Sequence, residues 1–302
     1  MSHSFLKESK LYLEYSGTKY RIYTTAAISF SQTFAEDSYP VKTLHDQSKM
    51  FEGSTITKAN PASFNFEVPL TVEKDESIVL DLANDLVTTV DSGITTQQLK
   101  SFIMYIQTGS STFKVENCIV SAANFAFNPR EQFKVQLEGQ GTKLTRVGDE
   151  SYNLGTIQSE SATRTPLLLY PVPTIDSLDM TSIISSTIQL QNNIEWTEFQ
   201  NLQTSLAGTM QYPSAYTVTN RIVSGAIKQY QTDNNITQFD DFSTASNVTI
   251  KGVQVGKPSS DNGFITMNIN PAMFTARMAV ADIYTQSYDY RSLDATPTIA
   301  YV

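Results

Sequence analysis

Residues 28–70 read ISFSQTFAEDSYPVKTLHDQSKMFEGSTITKANPASFNFEVPL and carry the strongest fold signal in the chain. Ile28 and Phe30 alternate with polar residues, and the same period of two returns from Phe64 to Leu70. Such alternation is typical of half-buried β-strands. Between them, residues 39–53 hold apolar side chains with neither a strand nor a helix period, which indicates a protruding loop or a long hairpin. The stretch therefore predicts a strand, an extended loop and a returning strand.

The sequence on either side adds more strands and one helix. Residues 11–15 and 20–23 flank a Ser16-Gly17 turn signal and predict a hairpin. From Asp75 onward, apolar residues recur at intervals of three and four, which predicts a helix. Further alternating segments lie at 100–107, 113–120 and 133–137. We predict a mainly β fold whose first half is a β-sandwich or a strongly bent sheet, flanked by an α-helix.

A change of composition divides the chain. Residues 148–164, GDESYNLGTIQSESATR, are short of large apolar side chains and rich in Ser, Gly and charge, as linkers are. A chain of 302 residues is long enough for two domains. We predict two tandem β-sandwich or barrel-forming domains, 1–148 and 165–302, joined by a linker at 149–164.

The two halves show signs of an internal repeat. Ile28 and Phe30 match Ile188 and Leu190 at a shift of 160 residues, and Asn128-Pro129 and Asn270-Pro271 each precede an alternating strand. The matches are by residue type and share one order along the chain. A single irregular β-domain with chance similarities is the alternative.

Charge and cysteine content exclude several classes of protein. The chain has 21 basic and 30 acidic residues and a net charge of −9, opposite to the basic surface of a protein that grips nucleic acid. Its one cysteine, Cys118, lies in an apolar alternation and is predicted to be a buried thiol. No stretch approaches the roughly 20 apolar residues of a membrane span, and the N-terminal sequence lacks a secretory signal pattern.

The chemistry of an enzyme is missing from the sequence. The two histidines, His3 and His45, have no paired cysteine or His-Glu spacing beside them, and no glycine-rich phosphate loop or nucleophile elbow occurs. Acidic clusters at 73–76 and 240–241 fit helix capping and surface solvation better than a calcium site or an acid–base pair. We predict no enzyme activity and no catalytic residue, metal or cofactor. A hydrolase or lyase using a carboxylate pair is a minor alternative.

The order of elements resembles the tail tube proteins of tailed bacteriophages. Residues 28–70 match their strand, long stacking loop and returning strand, and the helix, later strands and NPREQF at 128–133 extend the resemblance over nearly the whole first half. The resemblance implies inward-facing strands that join between subunits into a continuous β-barrel. Because the chain holds two such units, it implies a homotrimeric ring whose six domains mimic a hexamer.

The resemblance also implies an assembly and its partners. It suggests a structural virion protein, the major tail tube subunit, made in the host cytoplasm and stacked as rings into a channel for non-specific DNA passage. The tape measure protein and the tail terminator or baseplate proteins are the expected partners, and no membrane is expected. The long loop is the expected contact between rings, through Val41, Lys42, Leu44, His45, Asp46, Lys49, Met50, Phe51 and Glu52.

Two further interpretations follow from composition. A lumen rich in carboxylates would repel DNA phosphates and let DNA pass, although solubility alone explains the acidic balance equally well. The alternative function is a baseplate or hub component or a carbohydrate-binding β-sandwich of a phage tail, with Trp196 as a sugar platform. Trp196 matches the loop entrance of the repeat, which favours packing.

Overall fold

A computed structural model of the chain describes residues 9–39, 53–91, 94–128, 130–175, 180–197, 211–233, 246–254, 265–279, 283–293 and 298–301. The mainly β prediction is confirmed, because strands dominate and one α-helix occurs in this described part. The elements up to residue 148 are β1 (Lys10–Tyr15), β2 (Thr18–Ile22), β3 (Ser29–Ser31), β4 (Phe34–Tyr39), β5 (Gly53–Ala59), β6 (Ala62–Pro69), α1 (Ser77–Asn84), β7 (Leu86–Asp91), β8 (Ile94–Leu99), β9 (Phe102–Gln107), β10 (Thr112–Phe127), β11 (Lys134–Gly141) and β12 (Lys143–Gly148). The later elements are β13 (Leu169–Ile175), β14 (Ile183–Thr197), β15 (Ala215–Tyr230), β16 (Ser246–Gln254), β17 (Ile265–Ala279), β18 (Thr285–Ser292) and β19 (Thr298–Tyr301).

The first half consists of two antiparallel layers that share the long strand β10. One layer has the order β2-β1-β9-β10-β12, and the other has the order β3-β6-β11-β10. Phe64 of the second layer meets Phe102 of the first with ring centres 5.9 Å apart, so the layers pack face to face. This arrangement is the sandwich that the alternating strands predicted.

The second half repeats this order of strands. Its layers have the orders β13-β16-β17-β19 and β14-β15-β18-β17, and the long strand β17 is shared as β10 is. The equivalent strands also follow one another in the same order along the chain. A matching topology in both halves is what an internal repeat would produce.

The hydrogen-bond registers give the repeat a residue-level alignment. Phe34 lies opposite Ala59, and Ile194 lies opposite Val218. In both hairpins the register shifts by one residue just before this pair. The predicted shift of 160 residues for this strand therefore agrees with the ladders, and β3 with β4 corresponds to β14.

The other proposed repeat signal occupies different places in the two halves. Asn128 follows β10 and begins the turn toward β11, whereas Asn270 and Pro271 lie inside β17. Since β17 corresponds to β10 and not to β11, the match between these dipeptides was wrong. An Asn-Pro pair marks a turn in one context and a strand irregularity in the other.

The two halves join edge to edge into one sheet. Residues 122–127 of β10 pair antiparallel with residues 186–191 of β14. The resulting order is β3-β6-β11-β10-β14-β15-β18-β17, and buried apolar residues of both halves form one continuous core beneath it.

The local structure follows the sequence in most of the first half. The β1–β2 hairpin turns at Ser16 and Gly17, both with positive φ, as the Ser-Gly signal predicted. The helix begins at Ser77 and buries Ile78, Leu82 and their neighbours on one face. The hairpin of β7 and β8 was missed, because its threonine-rich strands lack apolar alternation.

Residues 149–164 lie against the first half and are held there at several points. Gln158 N donates to Lys19 O at 2.8 Å, and Tyr23 Oη donates to Glu160 at 2.7 Å. The segment predicted as a linker is therefore a packed strap over the first sandwich.

Candidate assembly surface

Two strand edges of the joined sheet are open in the described chain. Strand β3 pairs with β6 on one side, and no described strand lies on its other side. Strand β17 pairs with β18 over residues 272–279, while β16 reaches no further along its other edge than Ala272. Unpaired edges of this kind are templates for pairing with another chain. The sheet therefore ends in two edges that other strands can complete.

The joint between the halves shows how such an edge is closed. The edge of β10 that faces β14 corresponds to the open edge of β17, and β14 corresponds to the open strand β3. One chain thus contains one closed joint, between β10 and β14. It also contains the two open edges, at β17 and β3, that correspond to the two sides of that joint.

The outward-facing side chains of the eight joined strands form a surface that we call the polar face. It is made mainly of hydroxyl, amide and small side chains. Directly opposite neighbours form a row that crosses five strands: Glu67, Gln136, Asn124, Gln189 and Ser224. Their exposure alternates with the buried apolar residues that face the core.

Charges on the polar face are few and balanced. Salt bridges join Lys134 to Glu67 and Arg277 to Asp289, each at 3.1 Å. A hydrogen bond from Thr25 and the ammonium group of Lys134 lower the pKa of Glu67. The described charged residues of the face are four acidic and four basic: Glu67, Glu138, Glu195, Asp289, Lys134, Lys228, Arg277 and Arg291. The described part of the face therefore does not carry the acidic excess expected from the composition.

A half-buried arginine holds the helix of the first half against the second half. Arg221 of β15 donates from Nη2 to Asn84 O at 2.8 Å and to Ala83 O at 3.4 Å. These carbonyls lie at the C-terminal end of α1, where the backbone lacks partners and the helix dipole favours a cation. Burial lowers the pKa of Arg221 to about 10, so the side chain is still protonated at neutral pH.

Further hydrogen bonds cross between the halves near the joint. Buried Asn192 donates from Nδ2 to Val120 O at 2.9 Å, beside a bulge of β10. Tyr216 Oη donates to Leu99 O at 3.0 Å. Contacts to backbone groups from fixed side chains hold the two halves in one relative position.

The acidic cluster at 73–76 binds the end of the strap and Thr165, the residue after it. Glu73 accepts hydrogen bonds from Thr165 N at 2.9 Å and Thr165 Oγ1 at 2.7 Å. Glu76 is buried, accepts from Thr71 Oγ1 at 2.8 Å and pairs with Arg164. Glu76 precedes α1 but makes no side-chain cap bond. The expectation of helix capping was therefore wrong for Glu76, and the cluster serves an internal contact.

The predicted inter-ring contact residues fall outside the described part of the chain. All nine, from Val41 to Glu52, lie in 40–52. The described hairpin of β4 and β5 leads to this segment and ends with Tyr39 opposite Gly53. In the second half, Thr197 lies opposite Ala215 before residues 198–210, also outside the described part.

Trp196 stands at the entrance of that second segment and takes part in packing. Its ring lies 5.5 Å from the ring of Tyr216, and its Nε1 donates to Gln140 Oε1 at 2.6 Å. An indole held by a ring contact and a hydrogen bond supports the packing role predicted for it.

Other sites expected to be absent or inert can be assessed for the described residues. Cys118 is buried, and burial raises the pKa of its thiol. No group of three or more His, Cys, Asp or Glu side chains in the described ranges could hold a metal ion. Within the same ranges, no helix has the length and hydrophobicity needed to cross a membrane.

Sequence reasoning predicted strands at both places but did not identify them as the open edges of a sheet. The alternation of Ser29 and Ser31 around Phe30 is visible in the sequence, but which strand edges stay unpaired depends on contacts between strands that are far apart in the chain. The shift of 160 could have located the edge at β3, which corresponds to β14, but not the edge at β17.

Comparisons with known proteins identify the family. The model of the Bacteriophage Baseplate Tube Protein Family matches residues 1–301. Baseplate tube protein p140 of Escherichia phage T5 is 23% identical over 215 residues, which cover 67% of this chain and 67% of that protein. Such a family match over the chain means that this is a structural component of the phage tail and not an enzyme, and that the chain belongs to the bacteriophage baseplate tube protein family.

Proposed function

We propose that three copies of this chain close into a ring that forms part of the tube through which phage DNA passes at the baseplate. The observation that carries this proposal is the pair of open edges at opposite ends of one eight-strand sheet. Pairing these edges between neighbouring chains satisfies both edges of this eight-strand sheet and closes a barrel. The homotrimer whose six units mimic a hexamer, predicted from sequence, fits the repeated topology of the two halves.

The width of the sheet supports three chains. Eight strands spaced about 4.8 Å apart span about 38 Å. Pairs of directly opposite residues lead across the first half from Ser29 to Ala122, and Ala122 lies opposite Gln191. The residue equivalent to Ser29 is Gln189, so the strands are displaced along their length by two residues for each half. With the same displacement in the second half, each chain contributes about 41 Å of circumference.

This circumference sets the size of the lumen. Three chains give a backbone diameter of about 39 Å, and two give about 26 Å. Side chains that extend about 5 Å from each wall leave an open diameter of about 29 Å in a ring of three chains and about 16 Å in a ring of two. A B-form duplex is about 20 Å across, with grooves about 8 Å deep. Three chains are therefore the smallest ring that passes duplex DNA.

The polar face becomes the wall of this channel. Hydroxyl and amide groups with acidic and basic residues in balance offer DNA phosphates no excess of cations, so the wall does not retain DNA. Passage then depends on a neutral polar surface and not on repulsion by carboxylates.

We propose the segment containing Val41 to Glu52 as the contact with the next ring of the tube. The support is that this segment connects β4 to β5 directly after the pair of Tyr39 and Gly53. Replacing Leu44 and Phe51 together by Ser is expected to abolish stacking while single rings persist in electron micrographs. Unchanged stacking would refute this assignment.

The family points to the baseplate part of the tube, whereas the sequence suggested the major tail tube subunit. The two functions differ in how far identical rings stack, because a major subunit polymerises without limit and a baseplate ring joins a few copies to other tail proteins. Assembly in the host cytoplasm with tape measure and terminator or baseplate proteins follows under either function.

The mass and shape of the purified protein test the proposal. A ring of three 33.5 kDa chains has a mass of about 100 kDa. Light scattering at that mass, with electron micrographs showing an open channel and six-fold pseudo-symmetry, is the expected result. A monomer without a channel at all concentrations would refute ring formation, and long tubes of this protein alone would favour the major tail tube role.

A further inference from the structure

The registers inside one chain specify which residues meet where two chains join, and this inference rests on the proposed ring. We infer that β17 of one copy pairs antiparallel with residues 26–31 of the next copy, with Met273 opposite Ser31 and Thr275 opposite Ser29. The closed joint between β10 and β14 supplies the template.

The first step aligns the two open edges with the closed joint. In the first half, pairs of opposite residues lead from Ser29 through Asn65 and Glu138 to Ala122. The second half has the same path, from Gln189 through Ser224 and Arg291 to Met273. Because Gln189 is Ser29 shifted by 160 residues, Met273 corresponds to Ala122.

The second step transfers the register. In the closed joint Ala122 lies opposite Gln191, and Asn124 lies opposite Gln189. Gln191 corresponds to Ser31 and Gln189 to Ser29. The equivalent joint between chains therefore places Met273 opposite Ser31 and Thr275 opposite Ser29.

The side chains agree with this register. Ser29, Ser31, Met273 and Thr275 are all exposed, as the outward residues of an open edge must be. The residue between the latter two, Phe274, falls opposite half-buried Phe30, so two aromatic rings meet on the core side. Moving one strand by a single residue would place serines against the core and phenylalanine in the channel.

Cysteine pairs can test the register. Opposite residues in an antiparallel pair have Cα atoms about 4.5 to 5.5 Å apart, within disulfide range, whereas a displacement of two residues adds about 7 Å along the strand. The test protein carries Ser29→Cys and Thr275→Cys. The displaced control carries Ser31→Cys and Thr275→Cys. Native Cys118 is buried and can remain.

The closed joint provides a matched positive control. The pair Asn124→Cys and Gln189→Cys occupies the equivalent position within one chain. After mild oxidation of assembled rings, this control is expected to stay at monomer mass with no free introduced thiol on a denaturing, non-reducing gel. The test pair is expected to give covalent trimer in most of the protein, and the displaced pair less than a tenth as much.

The outcomes separate the register from the proposed function. Rings in which the displaced pair links chains, or in which the test pair fails while the internal control succeeds, overturn the register and leave the ring intact. A wild-type protein that forms no rings overturns the proposed function and this joint together. Covalent trimer from the test pair alone supports both.

Discussion

Replacing Glu76 by Gln tests whether the strap at 149–164 is part of the folded unit. The Glu76 side chain is 1% exposed and pairs with Arg164, whose guanidinium lies 3.8 Å from the ring centre of Tyr23. An amide still accepts the hydrogen bond from Thr71 but leaves Arg164 without its counter-ion. Breaking a fully buried pair costs about 3 to 5 kcal/mol, and the one-quarter exposure of Arg164 reduces this to about 2 to 3 kcal/mol.

The measurement is urea unfolding followed by tryptophan fluorescence and circular dichroism. The matched control is Asp75→Asn, an acid-to-amide change in the same cluster at a site that bonds Ser161 in solvent. Exposed polar contacts contribute about 0.5 kcal/mol or less, so this variant is expected to resemble wild type. Trypsin should also cleave after Arg164 faster in Glu76→Gln. If the two variants unfold at the same urea concentration, the strap does not depend on this ion pair.

Three other predictions concern the core, the polar face and pH. Gly225→Ala places a Cβ about 2.1 Å from a carbonyl oxygen of the neighbouring strand. We expect the free energy of unfolding to fall by more than about 3 kcal/mol, or no folded protein to be obtained. Near-normal unfolding would refute the close packing. Asn124→Arg together with Gln189→Arg adds six cations to a channel of three chains. We expect the variant to retain DNA, and this retention to weaken steeply as the salt concentration rises. Salt-independent retention would show that the face does not meet DNA. Burial raises the pKa of Asp81, so ionisation of this carboxyl lowers the stability of the fold at pH values above the unfolded pKa of about 4. Asp81→Asn should therefore raise Tm at pH 7 and not at pH 3. An equal effect at both pH values would contradict this.

The first half was predictable because its signals are local. The Ser16-Gly17 turn, the helix after Asp75 and the alternation from Phe64 to Leu70 each depend on neighbours in sequence, and each prediction is confirmed. The β7–β8 hairpin and the packing of the strap depend on contacts between distant residues. Composition showed that 149–164 lacks large apolar side chains, but not that carboxylates at 73–76 hold it.

The candidate site was predictable in kind but not in position. The resemblance placed assembly on strand edges and on the long loop, and the repeat at Ile28 and Ile188 correctly aligned the strands that begin each unit. The strands on the other side of each joint, β10 and β17, could not be aligned from the sequence. Bulges in their ladders change the number of residues between equivalent positions, so the shift of 160 does not apply to them. The match between the Asn-Pro pairs is wrong because it aligns a turn with a strand interior.

A duplicated chain changes which contacts must survive before assembly. In a ring of three, half of the six joints form during folding of one chain, and they are fixed by groups such as Arg221 and Asn192 that contact backbone carbonyls across the halves. The other three joints must form between separate molecules, with edges short enough not to pair at random. Weakening the internal joint should therefore lower the stability of the monomer as well as the yield of rings. Weakening the β17 edge at Thr275 should reduce rings while monomer stability is kept, and a variant there that unfolds the monomer would contradict this division between folding and assembly.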